Sequence, residues 1–228
     1  MKRVLLILLC ALGMTVQMSA QKQVVVEHGY SGFSAVEAGD CFDISLTASD
    51  EYKVRITTDA VVEDYILAYA KDGVLYLDID VKAMPSETRR AFQSRNRVLA
   101  TPRVEIFSPS LERIAVSGNS VIDCNDTLAV PGKLTVSLSR TAAIRRMDIK
   151  AEAVLLELSN KAQAYLSAEA ESLNVQCSHN ARAELKINVG ALDVYADSFS
   201  TVELFGKAAT VLMSTEGNSK VSLVPAGR

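Results

Sequence analysis

The chain has 228 residues, of which 22% are charged and 6% aromatic, with a formal net charge of −3 and no tryptophan. A mild acidic surplus gives no global electrostatic footprint for nucleic acid or an anionic membrane, so those partner classes are set aside at the outset. There are only two histidines, and no phosphate loop, dinucleotide fingerprint or serine-hydrolase elbow is present, so no cofactor is expected.

Lys2 and Arg3 precede an apolar run over 4–16, and Gln17-Met18-Ser19-Ala20 comes next. A basic start, a short apolar stretch and a small residue before Gln21 predict a secretory signal peptide over 1–20. The run is shorter than the roughly 20 apolar residues of a membrane span, so the mature chain is expected to carry no integral span. Cys10 lies inside the run behind Leu8-Leu9, which does not match a lipidation site. Cleavage leaves 228 − 20 = 208 residues, and the loss of Lys2 and Arg3 takes the charge from −3 to −5. Cys41, Cys124 and Cys177 remain. An odd count is not a disulfide framework; it allows at most one bridge and otherwise reads as small buried hydrophobes.

Residues 24–80 read as a series of strands: VVVEH, GFSAVEA, CFDISLTA, YKVRITT and VLYLDID. Gly29, Gly32, Gly39, Ser49-Asp50 and Asp72-Gly73 supply the turns between them. Residues 59–69 fit a short helix as well as a strand. A polar excursion spans 82–103, with Pro85, Pro102 and five arginines: Arg89, Arg90, Arg95, Arg97 and Arg103. So long an insertion is uncommon in a compact domain. It is read either as a solvated loop spanning a gap in the fold or as a partner-binding loop, because arginine forks suit carboxylates and sulfates. RVEIFSP (103–109) is a further strand, and no linker separates it from the second half of the chain.

The second half repeats. Six segments align by a polar corner: 112–124, 134–146, 154–166, 173–185, 192–204 and 211–223, their starts 22, 20, 19, 19 and 19 residues apart. The third column holds Ile114, Val136, Leu156, Val175, Val194 and Met213. The ninth holds only Ser or Ala, and the eleventh holds Ile122, Ile144, Ala164, Ala183, Val202 and Val221. The second and fourth columns between them are mostly polar. This alternation has period two, so each segment is a strand, a tight corner and a second strand. Strands recurring every 19–20 residues stack as coils of a parallel β-solenoid, since one coil cannot bury its apolar face alone. The expected fold is therefore all-β: a parallel β-solenoid with about 19–20 residues per coil, preceded by a more irregular β-strand region. In domain terms, 21–228 is one unit, with an irregular part over 21–110 and six coils over 111–224. Arg146 and Thr215 break their columns and mark irregular or partly open coils.

The run GFSAVEAGDCFDISLTASDEYKVRIT, then VLYLDID, then PSLERIAVSGNSVI and the degenerate repeats resembles a known exported family, the "putative autotransporter adhesin head, GIN domain". The resemblance spans roughly residues 24–224 and rests on pattern and order, with no invariant catalytic motif. It implies a β-helix-like fold and export in a Gram-negative bacterium, to the periplasm or the outer cell surface. It brings no active-site residues. An autotransporter would carry a membrane barrel of several hundred residues, whereas this sequence ends directly after the last repeat. Delivery by another means is therefore expected.

Candidate chemistry is sparse. Cys177-Ser178-His179 places a thiol and an imidazole side by side in sequence, but the columns set Cys177 in the core and His179 at a corner, pointing apart. Nucleophilic catalysis needs hydrogen-bond reach, and zinc needs three or four converging ligands. His28 stands alone. Glu184 and Glu203 share the outward twelfth column of adjacent coils, where paired carboxylates can act as acid and base; the same pattern also describes a solvated face. Asn119, Asn180 and Asn218 occupy corners, which suits their tolerance of left-handed backbone. Asn125-Asp126-Thr127 is a formal N-glycosylation sequon, and Asp126-Thr127-Leu128 resembles an acidic O-glycosylation pattern.

The expected function is that of a non-enzymatic exported envelope protein, an adhesin or binding module. It would present its solenoid surface to a glycan, an envelope protein or a host-surface protein. The alternatives are a β-helix carbohydrate-active enzyme, either lyase or glycosidase, and a purely structural envelope component. The sequence leaves the oligomeric state open.

Overall fold

A computed structural model describes residues 22–94 and 98–225. The expected signal peptide over 1–20, together with Arg95 and Arg97, lies outside the described residues. Within them the chain forms fourteen strands joined into one sheet that wraps on itself.

Five long strands carry the repeats: β9 (Val121–Leu138), β10 (Ala143–Ser159), β11 (Gln163–Ser178), β12 (Arg182–Ala196) and β13 (Thr201–Thr215). All are parallel to their neighbours; between β10 and β11, for example, one register holds from Asp148↔Ser167 to Ser159↔Ser178. Each bends in its middle and serves two faces. β9 shows this directly: its first half pairs with β3 (Asp43–Ala48), and its second half pairs with β8 (Arg113–Val116). The stack is the expected parallel β-solenoid.

The columns behave as their chemistry requires. Ile114, Val136, Leu156, Val175 and Val194 are fully buried, and so are Ile122, Ile144, Ala183 and Val202. Each Val or Leu removed from water contributes roughly 1.5–3 kcal/mol, so coil-on-coil stacking supplies the core that no single coil could build. The small ninth column, with Ser120, Ala142, Ala162, Ala181 and Ser200, is buried where the chain bends inward after each corner. The register slips between Ile144 and Asp148, beside Arg146, and Met147 fills the core there.

The corners are tight because consecutive residues take left-handed backbone: Asn160-Lys161, His179-Asn180, Ser198-Phe199 and Gly217-Asn218 all have positive φ. Their amides bond to the corner of the next coil, with Lys161 N donating to His179 O at 3.0 Å and Phe199 N to Gly217 O at 3.1 Å. Strain of about 1–2 kcal/mol per residue is thereby offset by satisfied donors.

The first half adds coils out of chain order. β2 (Ala35–Ala38) lies between β6 (Val74–Ile79) and β8, and β3 lies between β7 (Arg103–Ser108) and β9. The β2–β3 coil is thus inserted between the β6–β7 coil and the first repeat. Antiparallel strands close this end: β4 (Lys53–Asp59) on β7, β1 (Gln23–His28) on β4, and β5 (Ile66–Lys71) on β6. The undecided stretch 59–69 resolves into a single 3-10 turn, Glu63–Tyr65, leading into strand β5.

The 82–103 excursion joins β6 on one face to β7 on the other and carries α1 (Ser86–Phe92), the one α-helix among the described residues. Its apolar residues Met84 and Leu99 are buried in the common core, and Ala100 N donates to the buried Asp59 carboxylate at 2.7 Å. These contacts tie the described parts on both sides of residues 95–97 to the core. The opposite end is open: among the described residues only the short β14 (Lys220–Pro225) lies beyond β13, and Val211, Leu212 and Val224 stand exposed.

Candidate binding surface

The two outer faces of the solenoid carry different chemistry. The first, formed by β1, β4, β7, β3, the first halves of β9–β13 and β14, is laced with mixed charges. Arg55 bonds both Glu27 and Glu105, Arg145 lies 3.2 Å from Asp43, and Arg182 lies 3.7 Å from Glu203. Glu184 and Glu203 are register partners here, as their column predicts. With Glu203 facing Arg182, the pair belongs to a solvated, charge-compensated surface.

The second face contains β5, β6, β2, β8 and the second halves of β9–β13. One outward column crosses it in continuous register: Tyr69, Tyr76, Glu37, Ala115, Ser137, Glu157, Gln176, Tyr195 and Ser214. Pleat alternation alone puts these side chains outside, because their neighbours Leu75, Leu77, Val136, Leu156 and Val175 point into the core. From Tyr69 to Tyr195 the column lines an open groove of about 780 Å³, and a second row of small side chains, Ser117, Ser139, Ser159 and Ser178, forms part of its floor beside the corners.

Aromatic groups stand toward both ends of the groove. Tyr69 and Tyr76 stack with ring centroids 5.1 Å apart and 23° between planes, and Tyr195 lies on β12. Desolvation and the adjacent Glu216 carboxylate push the Tyr195 phenol above its usual range, so it stays a neutral hydrogen-bond donor. Four carboxylates line the groove, Glu37, Asp78, Glu157 and Asp197, and among the described residues no lysine, arginine or histidine does. Arg113 bonds Glu37 from the adjacent strand, and Ser137 Oγ donates to Glu157 Oε2 at 2.6 Å. Asp197 Oδ1 is buried without a donor among the described residues.

The structure separates the other candidates. Arg89 and Arg90 sit in the last turn of α1, and Arg103 starts β7 on the first face; none makes an ion pair among the described residues. Cys177 is 1% exposed, and burial pushes its thiol up to about 12, whereas His179 stands at its corner with φ +56°. The two point apart. Asn125 is exposed and donates to Ser45 Oγ at 3.1 Å. Among the described residues no group of three or more His, Cys, Asp or Glu can hold a metal ion, and no helix is long and apolar enough to cross a membrane.

The groove residues escaped sequence reading in part only. Ala115, Ser137, Glu157, Gln176, Tyr195 and Ser214 occupy the fourth repeat column, so six of the nine residues in the row were traceable. Tyr69, Tyr76 and Glu37 join it solely through the out-of-order pairing of β5, β6 and β2.

A parallel β-solenoid with one charge-compensated face and one acidic groove flanked by aromatic rings defines the class of protein, an all-β solenoid domain. A family model described as "Putative auto-transporter adhesin, head GIN domain" matches residues 32–178, and the chain belongs to that family. Solved structures share the fold. A "putative adhesin" from Bacteroides fragilis NCTC 9343 is 16% identical, with 90% of this chain and 98% of that one covered and a TM-score of 0.61. A "putative lipid binding protein" from Parabacteroides distasonis ATCC 8503 is 10% identical, covering 91% and 95%, with a TM-score of 0.64. A "putative adhesin" from Parabacteroides merdae ATCC 43184 is 14% identical, covering 90% and 97%, with a TM-score of 0.54. No curated protein matches the chain.

Proposed function

We propose that the protein is a non-enzymatic exported envelope component, a single binding domain released from its signal peptide over 1–20 that engages an extended partner along its second face. The periplasm or the outer cell surface is its site of action. The groove carries this reading: its lining holds aromatic rings, hydroxyls and carboxylates, and of its four carboxylates only Glu37 makes an ion pair among the described residues, with Arg113 beside the groove. Concave surfaces with a few convergent polar groups are where ligands bind.

The arginine-rich excursion is the second candidate surface, through Arg89, Arg90, Arg95, Arg97 and Arg103. Deleting it would be a poor test, because Leu99 and the Ala100–Asp59 hydrogen bond anchor it to the core. Replacing the five arginines by glutamine preserves those anchors. An envelope pull-down and glycan array should therefore compare the mature protein with this variant and with Tyr69→Ala/Tyr76→Ala. Loss of binding in the tyrosine variant alone is the expected result. Loss in the arginine variant alone would move the site to the excursion, and capture of no partner by any form would favour a purely structural role.

A further inference from the structure

We infer that the groove takes an uncharged glycan chain, laid across the strands from Tyr69 and Tyr76 toward Tyr195; this names the ligand class of the groove and rests on the groove being the binding face. Charge excludes the commonest alternatives first. With Asp78, Glu157 and Asp197 along the groove in no ion pair among the described residues, and no cationic side chain among its described lining residues, phosphate, sulfate and uronate groups would meet net negative potential. Arg113 offsets Glu37 alone, which leaves the other three carboxylates to set the sign of the potential.

Backbone geometry then disfavours a peptide. Extended peptides are recognised by adding a strand to an open sheet edge. Apart from the edge strand β5 at one end, the groove lies over the interior of the sheet, where β6, β2, β8 and the second halves of β9–β12 each have a neighbour on both sides. Their amides and carbonyls are committed to the ladder, so a ligand meets side chains only.

Those side chains suit a sugar polymer. The Tyr69–Tyr76 stack leaves Tyr69 49% exposed, and an aromatic face with its negative quadrupole attracts the C–H face of a pyranose. Carboxylates accept two hydroxyls at once, and serine hydroxyls both donate and accept. The serine row repeats a hydroxyl beside the corners of successive coils. From β6 to β12 the groove column takes six inter-strand steps, about 29 Å at 4.8 Å each, which is the reach of an oligosaccharide rather than a monosaccharide.

The test titrates the mature protein by calorimetry with an array of uncharged glycans that includes cellohexaose, mannohexaose and N-acetylchitohexaose. Hexagalacturonate and hexalysine are run alongside, at low and high salt. At least one uncharged glycan should bind with an affinity that salt changes by less than about twofold, because no counterion is released. Tyr76→Ala should weaken it by about tenfold or more, as for a central aromatic anchor, while Tyr76→Phe keeps the ring and most of the affinity. Failure of every uncharged glycan, or preferential salt-sensitive binding of hexagalacturonate or hexalysine, overturns the assignment. Should an envelope protein be captured in place of any glycan, and lost in Tyr76→Ala, only the ligand class is wrong. Glycan binding indifferent to both Tyr69→Ala and Tyr76→Ala would remove the groove itself.

Discussion

Cys177 shows how a residue's surroundings decide whether its chemistry is available. The thiolate is the reactive form, and burial in the stack holds the thiol at about 12. In the unfolded chain a cysteine titrates near 8.5. The folded value is the higher, so the native state keeps a proton that the unfolded chain releases. Its stabilising contribution is complete below about pH 8.5 and declines as pH rises toward 12, by roughly 1.4 kcal/mol per pH unit. Urea melts at pH 7.5, 9 and 10 should therefore show a fall in stability that is shallower in Cys177→Ala. Iodoacetamide at pH 8 should label Cys177 only after unfolding. Glycines 206 and 217 give a second residue-scale contrast. Both have positive φ, but a Cβ at Gly206 would collide with the Ile187 carbonyl oxygen, whereas the nearest atom to one at Gly217 is 3.5 Å away. Gly217→Ala should cost about 1 kcal/mol and Gly206→Ala more than about 2 kcal/mol in chemical denaturation.

At the scale of elements, the strand and its corner were the units visible in the sequence. Period-two alternation identified the inward columns, and the polar breaks identified corners at His179-Asn180 and Asn218, which do take left-handed backbone. Asn119 behaves differently: Gly118 supplies the positive φ there, and the Asn119 side chain accepts a hydrogen bond from Thr141 Oγ1 at 2.6 Å. The bulge at Met147 was signalled by Arg146 falling on an apolar column. The region 59–69 was not decidable, because its 3-10 turn and edge strand are fixed by pairing with β6 rather than by any local period. The excursion's anchoring to the core was equally hidden. Nothing in its polar composition marks Met84 and Leu99 as the two residues that enter the core.

Across the whole molecule the ends are unequal. Antiparallel strands flank the first coils, while among the described residues β13 and β14 end the stack with half-buried Met213, Val221 and Leu223. In a solenoid each coil is stabilised by its neighbours, so the coil with one neighbour opens most easily. Hydrogen exchange should show amides of β13 and β14 exchanging at least about tenfold faster than those of β10–β12; equal protection along the stack would contradict this. What the sequence determined by itself was the coil: its length, its inward and outward columns and its corners. These arise from side-chain alternation over adjacent residues, which is local information. What the tertiary structure alone decided was the order of the coils and hence the groove. The insertion of β2–β3 between β6–β7 and β8–β9 is a choice among parallel pairings far apart in the chain. That choice places Tyr76 and Glu37 in line with Glu157 and Tyr195, because surface side chains converge only once distant strands have selected their neighbours.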